Sequence, residues 1–477
     1  MTASDKTLDG HGFLRVVSRA EFCALLAAFA PLPMQDLDLA HSPAAALGRV
    51  LARAIPAPED LPQTARAAMD GYALRARDVF GATETNPAYV DCVADLRIDW
   101  HQSGHQAGPG GGAGRDIRLA PGQAARIPTG GSLPDGADAV VMVEYTGRLA
   151  GQLGGADAGH AGTPASAETP ASVETPAHVE TIEVRRSAAP GENVMLPGED
   201  VRAGDTALPA GRTLRAQDIG LLAALGVTQI NVGRRPRVGV LSTGDELVQA
   251  AAAPRPGQIR DVNTGALCCL AVEAGAEAVA LGIVPDDLPH LIQALASALA
   301  DCDVVLVSGG SSLGARDHTV AAMQAQPGAQ VLAHGIAMSP GKPTILARVE
   351  TVAGTKAVAK AIIGLPGQVT SAQVVMSVVI KPFLRHLAGD PSALASALSA
   401  APPIFVAELA RNISGRPGRE DFVRVRLEAR PGQPPLAHPV LGKSGLLKTL
   451  LAADGLIAVP ANAEGLYKGA LAPVFVL

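Results

Sequence analysis

Aromatic side chains are scarce in this chain: they make up 3% of its 477 residues, with a single Trp. Few stacking platforms are therefore available for single-stranded nucleic acid. An interior has to be built from Ala, Val, Leu and Ile, and the 48% of hydrophobic residues supplies it amply. A basic excess is missing too, because 39 Lys and Arg stand against 45 Asp and Glu, a formal net charge of -6. Nucleic acid and anionic membranes both demand a concentrated basic face. Neither is expected as a partner, and any anion site has to be local.

Cysteine is sparse and unpatterned. Cys23, Cys92, Cys268, Cys269 and Cys302 form an odd set without the C-x-x-C spacing of a zinc site or the framework of a secreted domain. Reduced thiols are the expectation. No uninterrupted apolar run is long enough to span a bilayer, since residues 265–284 are broken by Glu273 and Glu277. The opening MTASDKTLDGHGF has early acids and no apolar stretch of the signal-peptide kind. A cytoplasmic protein is expected.

What is present points to an anion. The segment VVLVSGGSSLGARDHT at 304–319 runs from an apolar strand into a loop containing Ser308, Gly309, Gly310 and Gly314 that closes on Asp317. Glycines there let backbone N–H groups approach a phosphate, and the carboxylate can hold a cation against it. An ordinary strand-to-helix turn is the competing explanation for this segment alone.

The length exceeds what one core serves, so several domains are expected. Ser18 followed by Glu21 is a capping box that opens a helix through Leu25 and Leu26, and a second helix is expected over 44–54. Residues 61–143 alternate in short runs, such as 124–127 and 139–143, and suggest a small β-rich unit. Its glycine cluster at 108–114 fails the dinucleotide-binding register and reads as a flexible loop. Residues 150–181 carry the near-repeat ASAETP, ASVETP, AHVETI, expected as a disordered insertion that leaves His160 and His178 in solvent.

From 237 to 386 strands and helices alternate, the signature of a doubly wound, mostly parallel α/β sheet. Polar motifs follow its strands: Ser242-Thr-Gly-Asp-Glu246, Pro285-Asp-Asp287, the Ser308 loop and Gly364-Leu-Pro-Gly367. Ligands sit beyond the carboxyl ends of such strands, so the four motifs mark one edge as a site. Residues 402–477 hold short strands separated by turn residues, as expected for a small closed or partly closed β-barrel. The stretch from Gly335 to Lys342 is not a phosphate-binding loop of the NTPase kind, because Pro343 stands where Ser or Thr should follow.

Taken together, Thr64-Ala-Arg-Ala-Ala-Met-Asp-Gly-Tyr-Ala73, Arg126-Ile-Pro-Thr-Gly130, Gly136-Ala-Asp-Ala-Val-Val141, Pro197-Gly-Glu-Asp200, Ser242 to Leu247, Gly257 to Asn263, Ser308 to Thr319 and Pro340-Gly-Lys-Pro343 follow one another in a family's order. The chain resembles the MoeA/gephyrin E-domain family of molybdopterin molybdenumtransferases. The resemblance covers nearly everything outside the first dozen residues and the 150–181 segment.

That resemblance implies an enzyme that takes adenylylated molybdopterin, releases AMP with the help of Mg²⁺, and inserts molybdate into the dithiolene. It implies catalytic roles for Asp70, Asp200, Glu246, Asp286 and Asp317, with Glu246, Asp286 and Asp317 as Mg²⁺ ligands. Substrate would be bound by Thr129, Asp261, Ser308, Gly309, Gly310, Gly314, Pro340, Gly341, Lys342, Pro366 and Gly367. A homodimer with shared active sites is implied, supplied by a molybdopterin adenylyltransferase upstream. The implied organisation is a linker domain at 14–60 and 185–235, an inserted β-rich domain at 61–184, a molybdopterin-binding α/β domain at 236–388 and a barrel at 389–477.

Taken singly, Asp70 could be a turn residue, Asp200 a loop carboxylate and Asp286 a helix cap. The chain also departs from the family where lysines often precede the P-G-K-P motif, having Gly335 and Ser339, and it reads Gln368-Val369 after Gly367. Fewer cationic contacts to an oxyanion follow. The alternative expectation is a paralogue that carries or scaffolds molybdopterin, or that handles tungstate.

Overall fold

The computed structural model describes residues 15–96, 117–149, 180–309, 315–353, 356–398 and 405–477. The chain forms two compact units, one of Ile55–Leu208 with Ala224–Gly226 and one of Met1–Ala54, Pro209–Ala223 and Val227–Leu477. Among the described residues, no helix is long and apolar enough to cross a membrane.

The smaller unit is built on a sheet of β1 (Gly71–Leu74), β2 (Ala88–Asp95), β3 (Gln123–Ile127), β4 (Ala139–Met142), β5 (Thr146–Leu149) and β6 (Glu180–Val184). Their order is β4-β1-β3-β2-β6-β5. Short apolar strands such as Ala-Val-Val-Met at β4 pack both faces, with Tyr72, Leu74, Val90 and Ile182 in one cluster and Ala73, Ala125, Ile127 and Val140 in another. Strand β6 begins at Glu180, so the last two residues assigned to the 150–181 insertion are sheet, held by Thr181 opposite Asp91 and Leu149. The rest of that segment, with His160 and His178, and the glycine cluster at 108–114 lie outside the described residues.

In the larger unit, helix α1 (Arg19–Ala27) starts at the capping box: Ser18 Oγ accepts from Glu21 N at 3.1 Å, and Ser18 N donates to Glu21 Oε2 at 2.8 Å. The helix expected over 44–54 does not form. A 3₁₀ turn at Pro43–Ala46 stops at Gly48, whose φ is +72°, and the chain then runs extended with Val50 bridged to Thr213 and Leu51 to Val232. The backbone N–H of Leu51 finds Arg212 O there instead of a helical partner.

The central sheet consists of β7 (Arg237–Thr243), β8 (Glu277–Val284), β9 (Val304–Gly309), β10 (Ala329–His334), β11 (Ile345–Ala353) and β12 (Lys356–Leu365) in the order β8-β7-β9-β12-β11-β10. The first four in that order are parallel, and β11 and β10 add an antiparallel edge. Strand β9 reads Val-Val-Leu-Val because both of its faces are covered. Val304 and Leu306 pack with Phe22, Leu26 and Leu267 on one side, and Val305 and Val307 with Leu291 and Leu295 on the other. The crossovers are α2 (Asn263–Glu273), α3 (Leu288–Asp301) and α4 (Ala315–Gln324).

The C-terminal strands are β13 (Val406–Leu409), β14 (Glu420–Arg430), β15 (Gln433–Pro439), β16 (Gly455–Val459) and β17 (Leu471–Val476). They follow the order β14-β15-β13-β17-β16, and β16 pairs back onto β14, which closes a five-stranded barrel.

Candidate active site

Register aligns the carboxyl ends of the parallel strands. Ser242 lies opposite Ser308, Thr243 opposite Gly309, and Ser308 opposite Leu365. Gly309 is glycine for a steric reason: its φ is +135°, and a Cβ there would stand 2.0 Å from Thr243 O. Gly310 and Gly314 lie outside the described residues.

Asn263, the first residue of α2, joins these ends. Its Nδ2 donates to Ser308 Oγ and to Gly367 O, both at 2.8 Å, so one amide ties β9 to the turn after β12. Ser242, Thr243, Asn263 and Ser308 are all buried. Asp261 takes a capping role: Oδ1 accepts from Ser242 Oγ, Asn263 N and Thr264 N, and Oδ2 from Thr264 Oγ1 at 2.6 Å. Four donors thus hold the carboxylate that the sequence suggested for substrate binding. Pro366 is buried beside the half-buried Gly367.

The turn after β8 adds an acidic group. Asp286 Oδ1 accepts from Thr243 Oγ1 at 3.4 Å, while Asp286 N donates to Asp245 Oδ1 at 3.2 Å. Burial pushes the Asp286 carboxyl above its ordinary range, and the charges of Asp245 and Glu246 push the same way, opposed by Thr243 and His318. Asp286 is not the helix cap, because Asp287 caps α3 by accepting from His290 N at 3.1 Å. His318 on α4 places Nδ1 3.2 Å from Asp286 O. A carbonyl only accepts, so Nδ1 carries the proton.

Glu246 is exposed, and Asp317 lies on the first turn of α4 with a side chain outside the described residues. Among the described residues, no three His, Cys, Asp or Glu side chains converge as a ready-made metal cage. The hard oxygen donors Asp245, Glu246 and Asp286 nevertheless suit Mg²⁺, which is commonly held by one or two carboxylates together with substrate phosphates.

Pro340, Gly341 and Lys342 form the turn between a short strand at Met338–Ser339 and β11, fixed by Ile336 N donating to Lys342 O and by Thr344 Oγ1 donating to Gly341 O. Lys342 is exposed. Ser339 pairs with Asp421 at the start of β14. On that strand sits Arg424, 9% exposed, whose guanidinium donates to Thr370 Oγ1, Thr449 Oγ1 and Gly442 O. These are neutral partners, and burial lowers its pKa. Nothing in the short strands read at 402–477 marked it.

In the smaller unit, Asp70 and Thr129 meet. Asp70 Oδ1 accepts from Thr129 N at 2.6 Å and from Thr129 Oγ1 at 2.8 Å, and these bonds hold the carboxyl below its ordinary range. Gly71 beside it has no room for a side chain, since a Cβ would lie 2.1 Å from Val141 O of β4. Asp200 is exposed and lines an open recess of about 510 Å³ with Pro197, Glu199 and Arg202.

Sequence comparison matches residues 17–226 to the MoeA N-terminal region (domain I and II), 239–386 to a probable molybdopterin binding domain, and 406–477 to the MoeA C-terminal region (domain IV). A molybdopterin molybdenumtransferase from Nostoc sp. is 34% identical over 72% of this chain and 68% of its own length. A molybdopterin molybdenumtransferase 2 from Mycobacterium tuberculosis is 33% identical over 87% of this chain and 89% of its own. Among solved structures, a molybdopterin biosynthesis MoeA protein from Pyrococcus horikoshii OT3 superposes with a TM-score of 0.71 at 26% identity, covering 97% of this chain and all of that one.

Proposed function

This chain belongs to the MoeA family, and we infer from that membership and from the strand-edge geometry that it is a transferase inserting molybdenum into molybdopterin during molybdenum cofactor biosynthesis. The observation that carries the reading is the convergence of Ser242, Ser308 and Gly367 on Asn263 and Asp261 at the carboxyl ends of three parallel strands. Ligands of doubly wound sheets sit beyond the carboxyl ends of such strands, which is where these side chains meet.

The proposal extends to the incoming substrate, adenylylated molybdopterin, and to loss of AMP. Asp286 and Glu246, with Asp317, would hold Mg²⁺, which when bound neutralises the phosphoanhydride and makes AMP a better leaving group. The chain's own residues do the positioning: Thr243 orients Asp286, Asn263 fixes the turn after β12 against β9, and the exposed Lys342 supplies positive charge for an oxyanion substrate. Asp70, anchored by Thr129, together with Asp200, is assigned to the same chemistry in a homodimer with shared sites. A molybdopterin adenylyltransferase would supply the substrate, and the compartment proposed is the cytoplasm.

Incubation of the purified protein with adenylylated molybdopterin, Mg²⁺ and molybdate, followed by transfer to a cofactor-free molybdoenzyme, tests the reading. Recovery of enzyme activity is expected. Tight binding of molybdopterin without recovery would instead identify a carrier, in line with glycine and serine at 335 and 339. Recovery only of a tungstoenzyme, with tungstate, would assign the other metal.

A further inference from the structure

One acceptor at the strand edge is unused among the described residues. Asn263 is 6% exposed, and its Oδ1 has no hydrogen-bond partner among the described residues. The orientation of the amide is fixed, because Gly367 O accepts only and therefore must face Nδ2. Both Nδ2 protons are engaged, on Ser308 Oγ and Gly367 O. The neighbouring donors are committed as well: the N–H groups of Asn263 and Thr264 and the Thr264 hydroxyl all point at Asp261. A buried carbonyl left without a donor is costly, and natural sites rarely keep one unless something arrives to satisfy it.

We propose that Asn263 Oδ1 is a specificity contact that accepts a hydrogen bond from a neutral N–H or O–H donor of the substrate. This rests on the strand edge being the substrate site and deepens it: Asn263 reads a donor on the uncharged part of the substrate. Adenylylated molybdopterin offers such donors from two sources, the amino and ring N–H groups of the pterin and the amine or ribose hydroxyls of the nucleotide. Because the same amide clamps β9 to the turn after β12, recognition of the donor is coupled to the placement of Ser308 and Gly367. A buried acceptor discriminates strongly against a ligand lacking the donor, which leaves the acceptor unpaired in the bound state.

Calorimetric binding of ligand pairs tests the assignment. On the nucleotide side the probes are AMP, purine riboside 5′-monophosphate, 2′-deoxy-AMP and 3′-deoxy-AMP. On the pterin side they are 6-hydroxymethylpterin and its lumazine analogue, which carries a carbonyl in place of the 2-amino group. Wild-type protein is expected to bind one parent about tenfold to a hundredfold more tightly than its donor-deleted partner. Asn263→Ala should lose the same factor for the parent and no longer distinguish the pair. Asn263→Asp, which keeps the acceptor while losing the clamp, should still distinguish them even if its melting temperature falls.

Discrimination in the AMP series assigns a nucleotide donor, and discrimination in the pterin pair assigns a pterin donor. Equal binding of every pair by wild-type protein overturns the proposal and leaves Oδ1 to a buried water. Failure of wild-type protein to bind any parent overturns the strand-edge reading itself, a separate outcome.

Discussion

Asp286→Asn is expected to lower turnover of adenylylated molybdopterin by about a hundredfold, while leaving the melting temperature of the ligand-free protein at neutral pH unchanged or slightly raised. Asparagine keeps the shape and an acceptor for Thr243 Oγ1, so the local packing survives. What disappears is a charge that the fold tolerates poorly. Burial, together with the neighbouring charges of Asp245 and Glu246, raises the Asp286 pKa. A carboxyl whose folded pKa is raised adds stability below its unfolded pKa and loses it as pH climbs through the folded value. Ionised Asp286 is therefore a small liability at neutral pH, the pattern of a residue retained for function rather than for stability. Steady-state AMP release and thermal melts at two pH values, one acidic and one neutral, check both halves. A large drop in melting temperature with normal turnover would assign Asp286 to the scaffold.

Gly309→Ala is expected to destabilise the larger unit by roughly 2–6 kcal/mol, combining backbone strain with overpacking. The added methyl would meet Thr243 O at 2.0 Å, and the φ of +135° is itself unfavourable for alanine. Relief requires the end of β9 to move off β7, which shifts Ser308 away from Asn263. Activity should therefore fall further than the fraction unfolded explains. Gly418→Ala is the control, because its φ of +87° is also left-handed but nothing lies within 4 Å of the new methyl. That variant should cost only about 1–2 kcal/mol. Urea titrations of the two variants separate the contributions, and equal losses would show that the contact with Thr243 O carries no weight.

Much of this architecture was legible from local pattern. The Ser18 and Glu21 pair is a contact three residues apart, and the Val304 to Val307 run is apolar because both faces are covered. The order of the polar turns after β7, β8, β9 and β12 pointed to one edge of one sheet, since a parallel sheet puts its carboxyl ends together. Residues 44–54 failed as a helix because the apolar spacing there serves bridges to Thr213 and Val232, partners far along the chain.

The parts of the site that stayed hidden are also long-range. Asn263 acquires its meaning from Ser308, 45 residues on, and from Gly367, 104 residues on. Arg424 meets Thr370 from another domain of the sequence, and the His318 imidazole is set by the backbone of Asp286. Asp261 stood out as a motif carboxylate, but its bonds to Ser242 and Thr264 were not visible in the motif. A sequence reports which polar residues follow a strand, but not which of them the neighbouring backbone consumes.

The central claim, that the strand edge couples loss of AMP to insertion of molybdenum, is tested most directly by counting both products in one enzyme-limited turnover. AMP and protein-bound molybdenum are measured together after mixing with adenylylated molybdopterin, Mg²⁺ and molybdate. Equal amounts are expected from wild-type protein, falling together in Asp286→Asn. Molybdenum uptake without AMP, or AMP release at the full rate from Asp286→Asn, would contradict the account.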